Sequence, residues 1–230
     1  MRICKLAAVL FGLAVVAAAQ AIPACGDTLV FGMDHAGTVL VSYTLTVHED
    51  GSAIYAASYP PEMPKYSPYA ATVATMPNTQ VSTTITLTPA TTKMFFERTH
   101  ATNGFVSGCE SHVKNIAKTG AKTLTYTSPS QTASCTWNYT EDKNVMVMAN
   151  AFEGIALTLD EGRKLQQKSR YDRLALDPEV QYLFDSVKQG HAIELGTIAV
   201  TLREIANDAQ VLERVRAKAV KLLAQSNSER

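Results

Sequence analysis

The sequence predicts an α+β protein, in which an antiparallel β region, sandwich- or sheet-like, precedes a C-terminal region of about four helices. Three observations lead there. Val39, Val41, Tyr43, Leu45 and Val47 alternate with Leu40, Ser42, Thr44, Thr46 and His48. That is the period of two of a strand with one buried face. Charged side chains number 13 in residues 22–140 but 27 in residues 141–230. Low charge with abundant Thr suits strands, and dense mixed charge suits the solvated faces of helices. From residue 150 onward, apolar residues recur every three or four positions. The chain thus divides into residues 1–21, 22–149 and 150–230.

In the β region, Glu49-Asp50-Gly51 reads as a turn after the first long strand, and Ser52 to Tyr59 as its returning partner. Val81, Ile85 and Leu87 alternate with threonines in a further strand. Met94–Ala101 and Phe105–Cys109 flank Asn103-Gly104, a pair suited to a hairpin turn. Ala133, Cys135, Trp137 and Tyr139 share one face of a later strand, which Glu141-Asp142 turns into Val145–Ala149. Residues 59–68, with Pro60, Pro61 and Pro64, do not suit a central ladder and predict an extended loop.

The helical region opens with Phe152, Ile155, Leu159 and Leu165 at helical spacing. Asp177-Pro178-Glu179 marks a second start, carried by Val180, Leu183, Phe184 and Val187 and stopped at Gly190. Leu195, Ile198, Leu202 and Ile205 form a third stripe. Asn207 or Asp208 caps a fourth, built on Leu212, Val215, Ala219, Leu222 and Leu223. Short links between stripes predict antiparallel helix hairpins, and one-sided stripes read as core.

The first 21 residues carry the three-part secretory pattern. Arg2 and Lys5 are the positive start, Leu6–Ala19 is an apolar run of 14 residues, and Ala19-Gln20-Ala21 fits a signal-peptidase site. The run is short for a membrane span, and the remainder of the chain has none. An exported protein, periplasmic or extracellular, is expected, with Cys4 removed. Cys109 and Cys135 then pair as a disulfide worth about 3 kcal/mol. Cys25 is left over, and a lipid on its sulfur is the competing expectation. Ile22-Pro23-Ala24-Cys25 has the aliphatic first residue and small third residue of a lipobox, but Pro23 departs from it. Release after Ala21 is therefore preferred to a membrane-anchored lipoprotein.

Formal net charge is zero, which removes the basic footprint of nucleic-acid binding. Ser111-x-x-Lys114 and Lys118-Thr119-Gly120 match two motifs of serine β-lactamases. Only three residues separate them here, whereas those enzymes place them far apart. Cys109, His112 and Cys135 have acceptable ligand types for zinc, but exported cysteines more often oxidise. Asp34-His35 and His48-Glu49-Asp50 lie near strand ends, where exposed polar residues need no ion. His191 follows a helix C-terminus, which favours an imidazolium. No metal and no cofactor are expected.

The leading expectation is a non-enzymatic binding protein for a protein or carbohydrate ligand. Its surface would be the Pro/Tyr loop beside the sheet, with Tyr55, Tyr59, Tyr66 and Tyr69. The second expectation is a secreted hydrolase with paired carboxylates and no local motif, drawing on Glu49, Asp50, Glu97 and Glu110.

Overall fold

Alternating apolar and hydroxyl-bearing residues sort onto the two faces of one sheet. A computed structural model of the chain describes residues 26–34, 42–60, 78–105, 108–113 and 120–228. Six strands, β1 (Thr28–Asp34), β2 (Ser42–His48), β3 (Ser52–Tyr59), β4 (Thr79–Thr86), β5 (Ala121–Thr127) and β6 (Thr132–Trp137), pair antiparallel in the order β4-β3-β2-β1-β5-β6. The class is α+β. One face carries Leu29, Phe31, Tyr43, Leu45, Tyr55, Leu124 and Trp137, all buried. Across the other face runs the row Thr84, Ile54, Thr46, Val30, Thr125 and Ser134, followed by Ser82, Ala56, Thr44, Gly32, Thr123 and Thr136. Small hydroxyls on a half-solvated pleat satisfy one another: Thr125 meets Ser134 at 2.9 Å and Thr123 meets Thr136 at 3.0 Å.

Five helices accompany the sheet: α1 (Pro89–Ala101), α2 (Lys143–Tyr171), α3 (Leu176–Lys188), α4 (Ala199–Asn207) and α5 (Glu213–Ser228). The long α2 lies on the apolar face. Phe152 stacks on Phe31 of β1 at 4.9 Å between centroids and on Phe95 of α1 at 4.1 Å. Full burial of such a ring contributes about 1.5–3 kcal/mol. One apolar core therefore spans sheet and helices. The helices α3 and α4 pack on α2, and α5 packs on α3 and α4. Most of their stripe residues are buried, among them Val180, Leu183, Leu195, Ile198, Leu202, Ile205, Val215, Ala219 and Leu222, but Leu212, expected in the last stripe, is exposed just before α5 begins.

The expected hairpin around Asn103-Gly104 is instead the end of α1. Thr88 caps that helix through its side-chain oxygen, Pro89 occupies its first turn, and Thr92, Phe95, Phe96 and Thr99 are its buried residues. Asn103 and Gly104 do take positive φ, 51° and 65°, but they close a helix rather than join strands. Val145–Ala149 is also helical. Asp142 accepts hydrogen bonds from the amides of Asn144 and Val145, so it caps α2 where a turn between strands was expected. Asp177 lies in the first turn of α3 and not at its cap. Strands β1 and β5 were not among the expected elements. Cys109 and Cys135 form the disulfide, with Cα atoms 5.6 Å apart. Residues 1–25, which include the expected leader and Cys25, lie outside the described residues.

Candidate functional site

Helix α2 carries polar residues on an otherwise apolar flank. Asn150, Glu153, Leu157 and Asp160 recur every three or four positions and so share a side. They form one wall of a 740 Å³ cavity at the seam with the sheet, within the range of about 300–1,000 Å³ of small-molecule sites. Met33 of β1 and Tyr43 of β2 supply the opposite wall, and Gln189 and His191, just past α3, the rim.

Each carboxylate on this wall has a cation. Lys122, on the buried face of β5, places its Nζ 2.6 Å from Glu153 Oε1. Asp160 Oδ2 lies 2.8 Å from Lys164 Nζ, and Oδ1 lies 3.6 Å from Arg163 Nη2. Tyr43 donates to Met33 Sδ at 3.4 Å. Burial, and then the Glu153 charge, push its phenol far above the usual range. The wall therefore offers carboxyl groups in contact with cations and a phenol that stays protonated.

On the other flank of α2, a smaller cavity of 210 Å³ is lined by Tyr55, Tyr59, Leu159, Arg163, Gln166 and Ile198 among others. Here lie two of the four tyrosines singled out in the sequence. Tyr55 is 2% exposed and Tyr59 is 5% exposed, both under the helices. The Arg163 guanidinium covers the Tyr59 ring at 4.0 Å. Asp160 Oδ1 and Arg163 Nε have no well-formed hydrogen bond among the described residues. Burial raises both phenols; the two hydroxyls also interact with each other, and the Asp160 charge adds to the rise. Tyr66 and Tyr69 lie outside the described residues, as does His35.

The acidic residues named from sequence divide. Glu49 and Asp50, in the β2–β3 turn, and Glu97 of α1 line one 520 Å³ cavity with His100 and Phe96. All three are exposed. Asp50 accepts from the Ser52 hydroxyl and amide at 2.6 and 2.8 Å, which hold its carboxyl below the usual range. Glu97 pairs with Lys93 at 3.7 Å. Glu110 is elsewhere, accepting from the Asn138 amide at 2.7 Å. Ser111 donates to Glu141, and Lys114 lies outside the described residues. Cys109 is oxidised and unavailable as a zinc thiolate. Among the described residues no group of three His, Cys, Asp or Glu side chains is arranged to hold a metal ion.

The Glu153–Asp160 wall escaped the sequence reading. A signal was present: two carboxylates seven residues apart, beside the apolar stripe of Phe152, Ile155 and Leu159. No family model matches the chain, and no curated protein matches it in sequence. Among the described residues no helix is long and apolar enough to cross a membrane.

Proposed function

We propose that the chain is an exported, non-enzymatic binding protein whose ligand enters the cavity between the sheet rim and α2. The observation that carries this reading is the pairing of Glu153 with Lys122 and of Asp160 with Lys164 and Arg163. Hydrolysis by two carboxyl groups needs one of them protonated to serve the leaving group. Contact with a cation favours the charged form of a carboxyl group, which suits it to accept hydrogen bonds rather than to supply a proton. The secretory pattern of residues 1–21 and the Cys109–Cys135 disulfide support export. Lipidation of Cys25 remains the alternative to release.

A hydrolase is the second reading, favoured by the meeting of Glu49, Asp50 and Glu97 around one cavity with His100. Their exposure and the ionised state of Asp50 weigh against a general acid there.

The test is a thermal-shift screen of the mature protein against small polar metabolites, repeated with Asn150→Ala and Gln189→Ala. Binding in the cavity predicts a Tm rise that both substitutions diminish, with the ligand recovered unchanged. A ligand that is consumed, or a shift indifferent to both substitutions, overturns the reading.

A further inference from the structure

Strand β4 ends the sheet, so one of its edges has no strand beside it among the described residues. Residues 83–89 line a 470 Å³ cavity without a gap. A cavity against one face of a strand meets every second residue, because side chains alternate between faces. An unbroken run places this one against the free edge, where backbone N–H and C=O groups project. Gly196 and Thr197 of the 3-10 turn Leu195–Ile198, with Ser226 of α5, line it from the helical layer. The cavity is a slot between a sheet edge and helices, a shape that takes an extended chain as an added strand. Sheet edges are commonly blunted by charge, proline or a bulge. Strand β4 has no charged residue and no proline, and its register with β3 runs unbroken from Ser52–Thr86 to Tyr59–Thr79.

Two further observations define what fits. The 210 Å³ cavity beside α2 shares Thr83 and Thr197 with the slot, so the two adjoin along β4. Val81, Leu159 and Ile198 give the smaller one apolar walls. Side chains on one face of an extended chain stand about 7 Å apart. A strand laid along β4 thus offers one side chain to the smaller cavity and the next on that face to the slot. Glu194 is the sole ionisable residue lining the slot. Its carboxylate accepts from the neutral amide and hydroxyl of Thr88, so a basic side chain entering the slot would complement its charge.

We infer that β4 receives an extended peptide segment of a partner protein as an added strand, with an apolar side chain in the smaller cavity and, two residues along, a basic side chain facing Glu194. A second copy of this chain fits less well, because its own β4 brings no basic residue to Glu194. The slot and the smaller cavity share no lining residue with the cavity beside Glu153, so this site stands apart from the small-molecule reading above.

The experiment is fluorescence polarisation of the mature protein with a labelled peptide, Thr-Thr-Leu-Thr-Lys-Thr-Thr, capped at both ends. Binding is expected with a Kd below about 1 mM. Replacing the peptide leucine by alanine, or its lysine by glutamate, should each weaken binding about tenfold. N-methylation of one alternate set of peptide amides should abolish binding, while methylation of the other set should leave it, since an added strand uses one edge of its backbone. Thr83 is exposed and lines both cavities, so Thr83→Arg should abolish binding with little change in Tm, and Asn150→Ala should leave binding as it was. Absence of binding, or binding indifferent to both methylated sets, overturns the inference. So does binding that Thr83→Arg leaves intact or Asn150→Ala removes. A dimer of the protein that Thr83→Arg dissociates also overturns it, by making a second copy the occupant of the edge. The methylated peptides leave the protein unaltered, so they decide the matter even if Thr83→Arg fails to fold.

Discussion

The Glu194 carboxylate closes the N-terminus of the first helix at Thr88, 106 residues earlier in the chain. It accepts from the Thr88 amide at 3.0 Å and from the Thr88 hydroxyl at 2.7 Å. Glu194 is 3% exposed and adopts a left-handed backbone, φ 59°, to reach it. A negative charge at a helix N-terminus is favourable, and here it also fastens the helical cover to the strand side.

Glu194→Ala should therefore destabilise the protein by about 1.5–3 kcal/mol, the usual range for hydrogen bonds to a charged group. Glu194→Gln, which keeps an acceptor, should lose less. Urea denaturation of the two variants checks this; equal losses would show that the charge contributes nothing.

Non-reducing peptide mapping should join Cys109 to Cys135, whose Cα atoms are 5.6 Å apart. Replacing both with Ser should cost about 3 kcal/mol by the chain-entropy account. A free Cys109 thiol in oxidised protein would refute the pairing.

Gly162 sits where α2 passes the 3-10 turn Leu195–Ile198. A Cβ at this position would lie 2.3 Å from Ile198 Cγ2. Gly162→Ala should destabilise by about 1–3 kcal/mol through overpacking. The cost should shrink in an Ile198→Ala background, and a double-mutant cycle reads that coupling directly.

Two acids make opposite contributions to the pH profile. Arg214 and Lys218 hold the Asp177 carboxyl below its usual range. Its contribution is present above the unfolded-state pKa and is lost as pH falls through the lowered folded value. Burial raises Glu161, against the opposing pull of Lys164. Its contribution is fully present below the unfolded-state value and is lost as pH rises through the raised folded value. Denaturant midpoints measured across pH should lose part of their acid limb in Asp177→Asn. They should flatten on the alkaline side in Glu161→Gln, where Lys164 keeps Asp160 as partner at 2.8 Å. Profiles parallel to the parent would contradict both assignments.

The class of the fold was legible because its strongest signals are periodic. Tyr43, Leu45 and Val47 alternate into the core, and the stripe of Leu195, Ile198, Leu202 and Ile205 is buried throughout. Where the reading failed, short-range chemistry had two uses. Asn103-Gly104 takes positive φ equally well at a hairpin or at a helix end, and only the Thr88 cap with Phe95 and Phe96 distinguishes them. Asp142 serves a turn or a helix cap alike. The strand β5 has only Leu124 and Tyr126 buried, too few to announce a period. The candidate site was less legible. Tyr55 and Tyr59 were noticed, but Glu153 and Asp160 acquire meaning only when Lys122, from a strand not foreseen, arrives beside them.

The position of β1 at the middle of the sheet carries a kinetic consequence. During synthesis, residues 28–86 can zip into a four-stranded meander through neighbouring pairings. The second ladder of β1 waits for β5, and the apolar face waits for α2, which begins only at Lys143. Until then Leu29, Phe31 and Leu45 face water on a sheet with an unpaired strand at one side. Such an intermediate is sticky, and its lifetime is set by how quickly the last third of the chain emerges. Productive folding of this protein is thus a race between delivery of its C-terminal helices and association of half-built sheets.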